Sequence, residues 1–420
     1  MTRRFDKQED HAVEKINTIV VGGGQAGLAT SYCLSQQGIE HLVLEQSDRP
    51  APVWRDGRWD SLTLVTPNRA FRMPGAEYDG PDPDAFMPRA DVIAFFDHYV
   101  EQFSLPVQCN TRVERVEQLD LNGYRVVTPD RSYECENVVI ATGHEQLPGT
   151  PECASGLSPS ISQLHSSEYR NPETLPDGAV LVVGSAQSGA QIAEELYQSG
   201  RKVYLSVGGA GRAPRRYRGS DVFDWLLRTG FVDIPADKFP VPKDHFAPPH
   251  VTGKNGGHTL NLHQFFRDGV TLLGHVHDAS GTRMSLAPDL HELLARADAF
   301  ERQVTSMVDG FIQANGLDLP AEELPQLRDG FEQPIIEELD LAAEGISTVI
   351  WATGYRHDYG LVKMPVLDNQ GFPIQDRGVT QYPGLAFVGM PWMPGIRSGT
   401  LAGVGDAARH VVQELSKVPA

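Results

Sequence analysis

The chain has 420 residues, enough for two or three domains and well beyond a single small module. Against 55 Asp and Glu stand only 36 Lys and Arg, a formal net charge of −19 that repels a phosphate backbone and sets nucleic acid aside as a partner. The hydrophobic content of 40% is that of a globular protein, and no apolar run reaches the roughly eighteen residues of a membrane span, so a cytoplasmic protein without a membrane partner is expected.

Residues 1–15 are charged and carry no apolar signal stretch, so they read as a solvated polar tail. The apolar strand at 16–21 runs into Gly22, Gly23, Gly24, Gln25, Ala26 and Gly27, and a helical stretch follows that ends before Gly38. In such a strand, turn and helix, Gly22 permits the tight turn and Gly24 lets the backbone approach a pyrophosphate. Gly27 lets the helix pack on the strand, with its first N–H groups aimed at the phosphates. The next strand, 41–44, ends in Glu45, 23 positions after Gly22, where a carboxylate accepts hydrogen bonds from an adenosine ribose.

Cys33, Cys109, Cys135 and Cys153 lie 76, 26 and 18 positions apart. No C-x-x-C pair and no zinc-ligand doublet results, so the cysteines read as small hydrophobes and a dithiol mechanism is excluded.

Residues 138–143 and 349–354 echo each other, each an apolar strand ending in Ala-Thr-Gly, with Thr142 and Gly143 in the first and Thr353 and Gly354 in the second. Between them a second unit opens at 179–183 and continues through Gly184, Ser185, Ala186, Gln187, Ser188 and Gly189 into a helix that stops at Gly200. Its following strand, 203–207, places Ser206 at the ribose-reading position, 22 positions after Gly184, with no carboxylate there. Arg212, Arg215, Arg216 and Arg218 come next. A hydroxyl and guanidinium groups hold a 2′-phosphate that an acid repels, so this unit reads as binding NADPH and the first as binding FAD. A solvated basic loop is the alternative for the arginines.

The expected fold is α/β, with two Rossmann-like dinucleotide-binding domains and a discontinuous FAD domain. That domain takes 16–145 and 345–420, and the NADPH domain takes 146–344 with a helical and loop insertion around 210–330. Residues 384–389 add a buried strand ending at Gly389, and a helix from about 399 to 415 is placed to direct its N-terminus at the flavin ring. The stretch holding His245, His250, His258, His263 and His275 has intervals of 5, 8, 5 and 12, which match no metal-ligand spacing, so no metal is expected. Residues 253–258 read as a loop and 259–266 as a helix.

These residues together resemble the class B flavin-dependent monooxygenases, the flavin-containing and YUCCA-like enzymes with their bacterial relatives. The likeness rests on the two glycine turns, Glu45, the turn at Val53, Trp54 and Arg55, residues 62–67, both Ala-Thr-Gly segments, and 163–169 just before the second unit. That last stretch is similar to the latter half of the family fingerprint F-x-G-x-x-x-H-x-x-x-Y. His165 and Tyr169 match it, whereas Pro159 and Ile161 occupy the fingerprint's Phe and Gly positions.

The resemblance implies that NADPH reduces FAD, that O2 then forms a C4a-hydroperoxide, and that a small nitrogen or sulfur nucleophile takes one oxygen atom. No motif matches the catalytic arginine of Baeyer–Villiger enzymes, which places ketones lower. The resemblance also implies His165, Tyr169 and Asn68 as the catalytic residues, His165 and Tyr169 at the linker between the domains and Asn68 facing the flavin. A turn-pinning His165 and a plain turn residue at Asn68 are the alternatives. A flavin reductase or oxidase that inserts no oxygen is the competing enzyme, and a flavin redox sensor the non-enzyme alternative. The substrate carries no motif, and a homo-oligomer is left open.

Overall fold

Two sheets organise the protein, each with a parallel centre that opens on one of the glycine turns. The computed structural model describes residues 13–120, 122–235, 238, 249–393 and 395–417. In the first sheet the strand Val13–Val21 lies between His41–Leu44 and Ser132–Ile140, parallel to both, and Val107–Gln108 extends the edge beyond His41–Leu44. The strand Ser132–Ile140 serves two neighbours on its far side: Ser132 to Cys135 pair with the hairpin strand Tyr124–Val127, and Val138 to Ile140 pair with Leu385–Phe387. Val13, Glu14 and Lys15 pair with Ser132, Tyr133 and Glu134, so the last three residues of the expected tail are strand instead. His245, also singled out in the sequence, lies outside the described residues.

The second sheet is wholly parallel, in the order Ser162–His165, Ile346–Trp351, Ala179–Val183, Val203–Ser206 and Thr271–Leu273. Every residue of Ala179–Val183 is buried, as a near-continuous Val and Leu run covered on both faces requires. Each such side chain contributes about 1.5–3 kcal/mol. This order corrects the boundary expected at 345. The strand Ile346–Trp351 pairs on both sides with strands of the second domain, so the return to the first domain comes after it.

Helices α1 (Gln25–Gln36), α2 (Pro52–Asp56) and α3 (Arg89–Gln102) belong to the first domain. The second holds α4 (Gln187–Gln198), α5 (Val222–Arg228), α6 (Leu262–Arg267) and the 25-residue α7 (Leu290–Ala314). Helix α8 (Val404–Leu415) returns to the first domain, where its Val404, Val411 and Leu415 share a core with Leu28, Leu34, Phe96 and Tyr99. It starts later than expected because residues 396–399 form a separate 3-10 turn. The two passages between domains run side by side: Leu147–Pro148 pairs antiparallel with Tyr355–Arg356. Among the described residues no helix is long and apolar enough to cross a membrane.

Candidate functional site

The first glycine turn is built by contacts that only glycine allows. Gly22 has φ +107°, and a Cβ on Gly27 would fall 1.8 Å from the Gly22 carbonyl oxygen. A Cβ on Gly24, by contrast, would meet nothing within 4 Å, so space lies open beside the start of α1, which has no side-chain cap. Its first N–H groups, from Gln25 to Gly27, precede the intrahelical ladder and point into that space.

Glu45 is buried, and its two oxygens accept from Gly23 N at 2.6 Å and Ser47 N at 2.8 Å. Each oxygen keeps a lone pair for a ribose hydroxyl. Gln25 ties the turn to two distant segments, donating to the Gly399 carbonyl at 2.7 Å and accepting from Trp54 Nε1 at 3.1 Å. Ala26 packs against Gly389, where a Cβ would come within 2.3 Å of the alanine methyl. Asn68 is buried, its Nδ2 bonded to the Asp82 carbonyl at 3.0 Å and its Oδ1 without a partner. Open space, unpaired helix N–H groups, a carboxylate with spare acceptors and an orphaned amide oxygen fit an FAD.

The second turn repeats the frame with different chemistry. Gly184 has φ +100°, a Cβ on Gly189 would lie 1.8 Å from the Gly184 carbonyl oxygen, and Ala186 caps α4 without a side-chain hydrogen bond. Gln187 donates to the Val251 carbonyl at 3.3 Å, and Ser188 follows it in the first turn of α4. Strand register corrects the ribose-reading position: Val183 pairs with Ser206 as Val21 pairs with Leu44, so the counterpart of Glu45 is Val207. The hydroxyl of Ser206 is buried and donates to the Gly274 carbonyl at 2.9 Å. In place of a carboxylate reaching back to the turn, Ser185 Oγ accepts from Gly208 N at 2.9 Å.

The arginines expected to hold a 2′-phosphate are taken. Arg212 is buried in a fork to Glu301, both contacts 2.9 Å, with Asp298 at 2.7 Å. Arg215 is buried against Asp221 at 2.8 Å, donates to the Val65 carbonyl and lies over the Phe86 ring. Both are structural cations. Beneath the same turn, His250 is fully buried and lies against the Ser185 backbone with neither ring nitrogen closing a hydrogen bond. Burial, with the Arg212 charge adding to it, pushes its pKa down to about 4.

Each Ala-Thr-Gly segment abuts its own turn. A Cβ on Gly22 would lie 2.7 Å from the Ala141 carbonyl oxygen, and one on Gly184 would lie 2.5 Å from that of Ala352. Thr142 Oγ1 accepts from Gln146 Nε2 at 2.7 Å, and the carbonyls of Thr353 and Gly354 line Gly149 on the returning passage. His165 is buried at the end of its strand, and its Nε2 donates to the Gly354 carbonyl at 2.9 Å. That fixes the tautomer, with Nδ1 accepting from Ser167 Oγ at 2.9 Å, while burial holds the imidazole pKa below its usual value.

Tyr169 lies in the apolar core of the second domain. It is a fully buried core residue whose hydroxyl donates to Glu195 of α4 at 2.8 Å, which corrects its expected catalytic role to a positional one.

The spacing of motifs missed a cluster at the crossing. Arg58 pairs with Glu145 and contacts Tyr355, whose ring meets His165 edge-on at 4.9 Å between centroids. Burial opposes both charges, yet Glu145 keeps Arg58 above the ordinary arginine range and Arg58 keeps Glu145 below the ordinary carboxylate range. The available signal was a charged residue, Glu145, placed two positions after the first Ala-Thr-Gly glycine. Two further ion pairs hold the 222–233 arm of the second domain on the first: Arg69 with Asp224 at 3.2 Å and Arg397 with Asp233 at 2.6 Å.

The described histidines of the insertion are dispersed. His258 meets Glu194 at 2.6 Å, His275 meets Asp289 at 2.6 Å, and His263 is buried near Asp298 at 3.3 Å. All four cysteines are free, and burial pushes the thiols of Cys33 and Cys135 up to about 11 and about 12.

Residues 19–225 match the family described as pyridine nucleotide-disulphide oxidoreductase. A flavin-containing monooxygenase from Stenotrophomonas maltophilia superimposes with a TM-score of 0.64 at 23% identity, covering 96% of this chain and 98% of that one. A probable indole-3-pyruvate monooxygenase, YUCCA1 of Arabidopsis thaliana, is 30% identical over 203 residues, 48% of this chain and 49% of its own length. The fold is therefore the one found in flavin-containing monooxygenases. Across 402 residues the chain is 31% identical to an uncharacterized CzcO-like oxidoreductase of Geobacillus kaustophilus, covering 95% of this chain and 98% of that protein, and it belongs to this CzcO-like family.

Proposed function

We propose that the protein is an NADPH- and FAD-dependent monooxygenase that transfers one oxygen atom of O2 to a small nitrogen or sulfur nucleophile. The observation carrying this reading is the pair of like-built glycine turns, each set against its own Ala-Thr-Gly strand end, on two domains joined by a double crossing. The N–H groups at the start of α1 would hold the FAD pyrophosphate, Glu45 would hold its ribose, and the unpartnered Asn68 Oδ1 would be free to accept from the bound cofactor. Helix α4 does the same for the coenzyme pyrophosphate. FAD, when bound, supplies the two-electron carrier between the dihydronicotinamide and dioxygen.

The domain crossing sets how the two sites face each other. His165, neutral and donating to Gly354, fixes the returning passage, and the Arg58, Glu145 and Tyr355 cluster fixes the outgoing one. The 222–233 arm is held on the first domain by Arg69, the neighbour of Asn68, and by Arg397. The isolated, high-pKa thiols support oxygen transfer over dithiol exchange.

The test is turnover under ¹⁸O2 with thioethers, amines and ketones, read by product mass and peroxide yield. A thioether or amine product carrying one labelled oxygen is expected. Stoichiometric peroxide with every substrate overturns the oxygenase reading in favour of an NADPH oxidase.

A further inference from the structure

We infer that Arg296, on helix α7, is the residue by which this protein selects a coenzyme carrying a 2′-phosphate. The inference rests on the proposed reading of the second glycine turn as a pyridine nucleotide site and names its specificity determinant.

The strand ending at Ser206 delivers Val207, Gly208 and Gly209 to the place where the first unit carries Glu45. None of the three bears a charge. The four arginines that follow do not turn back to this point. Arg212 and Arg215 are buried in their carboxylates, Arg216 donates to the Gly256 and Gly257 carbonyls, and Arg218 pairs with Asp309.

Helix α7 runs across the loop. Leu293, Arg296 and Phe300 follow one another at spacings of three and four, so they share a face. Leu293 is buried in the same apolar cluster as Val207, and Phe300 closes on Gly211, where a Cβ would lie 2.3 Å from its ring. Between these two anchors, Arg296 brings Nη1 to 3.5 Å from the Cβ position of Gly209. Glycine at 208 and 209 leaves no side chain to intervene.

Unlike Arg212 and Arg215, Arg296 is available. Its side chain is 56% exposed, and its ion partner is Glu292, one turn earlier at 3.1 Å and itself 74% exposed. A solvent-exposed helical pair of this kind is weak and is readily exchanged for a phosphate. A guanidinium offers that phosphate two parallel N–H donors, and in a chain of net charge −19 a cation close by offsets the repulsion felt by a phosphate dianion.

The experiment measures NADP⁺ and NAD⁺ binding to the FAD-loaded protein by flavin absorbance perturbation, with 2′,5′-ADP binding followed by calorimetry, in the parent and Arg296→Ala. Loss of a charge-assisted phosphate contact is expected to weaken NADP⁺ and 2′,5′-ADP roughly ten- to a hundred-fold and leave NAD⁺ within about two-fold. Arg296 is exposed, so the variant folds as the parent does. Equal affinities for NADP⁺ in parent and variant, or an equal loss for both coenzymes, overturn the role of Arg296 while leaving the coenzyme site intact. A parent that binds NADP⁺ no better than NAD⁺ also overturns it. A parent that binds neither coenzyme removes the site and the inference together.

Discussion

The two glycine turns share a backbone and differ in how the strand end is fastened. In the first unit a side chain of the strand end, Glu45, reaches back to the turn, bonding Gly23 N at 2.6 Å. In the second the direction is reversed, and Ser185 of the turn reaches out to Gly208 N at 2.9 Å. The reversal leaves the first unit with a fixed anion at its strand end and the second with a neutral strand end overlooked by a cation of α7. One frame thereby becomes two sites of opposite local charge, which is the difference that separates a ribose with free hydroxyls from one carrying a phosphate.

The sharpest way to break this comparison is Arg212→Ala. If Arg212 is the structural cation of the second unit, its removal leaves Glu301 buried without a partner and Asp298 with His263 alone, and lowers stability by about 3–5 kcal/mol in urea unfolding. An Arg212→Ala protein of parental stability that has lost NADP⁺ affinity would place the arginine in the coenzyme site.

Acid should separate the units next. His250 titrates at about 4 in the folded protein against an ordinary 6.5, so the unfolded chain takes up the proton first. Its contribution is fully present above about pH 6.5 and is lost as pH falls towards 4, a change of at most about 3 kcal/mol. The Tm of the parent should fall across that window, and that of His250→Leu should fall less steeply; parallel curves would show that other groups set the acid limit.

Glu45→Gln keeps the shape of the first unit and removes its charge. A ten- to hundred-fold loss of FAD affinity, about 1.5–3 kcal/mol, with NADP⁺ binding to the FAD-saturated protein unchanged, is the expected result of titrating the apoprotein with FAD. Undiminished FAD affinity would sink the assignment of Glu45 to the ribose.

The smallest effect should come from Ala186→Gly. The Ala186 methyl occupies the place that is open beside Gly24 in the first unit, so its removal should tighten NADP⁺ binding by a few-fold, about 0.5–1 kcal/mol. Weaker binding would mean that the helix stiffness lost with alanine outweighs the space gained.

What could be read without coordinates was local. The first glycine turn and the carboxylate of Glu45 lie within about thirty residues of one another, and a strand, turn and helix of that length carries its own geometry in its residue pattern. The membership of 346–351 could not be read the same way. Both Ala-Thr-Gly segments have the same local pattern, and which sheet each one joins is decided by pairing with strands far away in sequence. Arg212 and Arg215 misled for a related reason. An arginine's partner decides its role, and Arg212 meets Glu301 on a helix 89 positions later. Ser206 was one position off because the count to the ribose site runs from the last paired residue of the strand, which only the register reveals.

The side-by-side passages at Leu147–Pro148 and Tyr355–Arg356 also bear on how such a chain can be assembled and rearranged. From the standpoint of the first domain, the whole second domain is a hairpin loop: its two ends lie roughly 5 Å apart, the spacing of neighbouring strands. Closing that loop costs the host little more than closing a much shorter one, because the penalty grows only with the logarithm of length. The junction is therefore a natural splice point, where one second domain can be exchanged for another while the first domain keeps its own core of α1, α3 and α8.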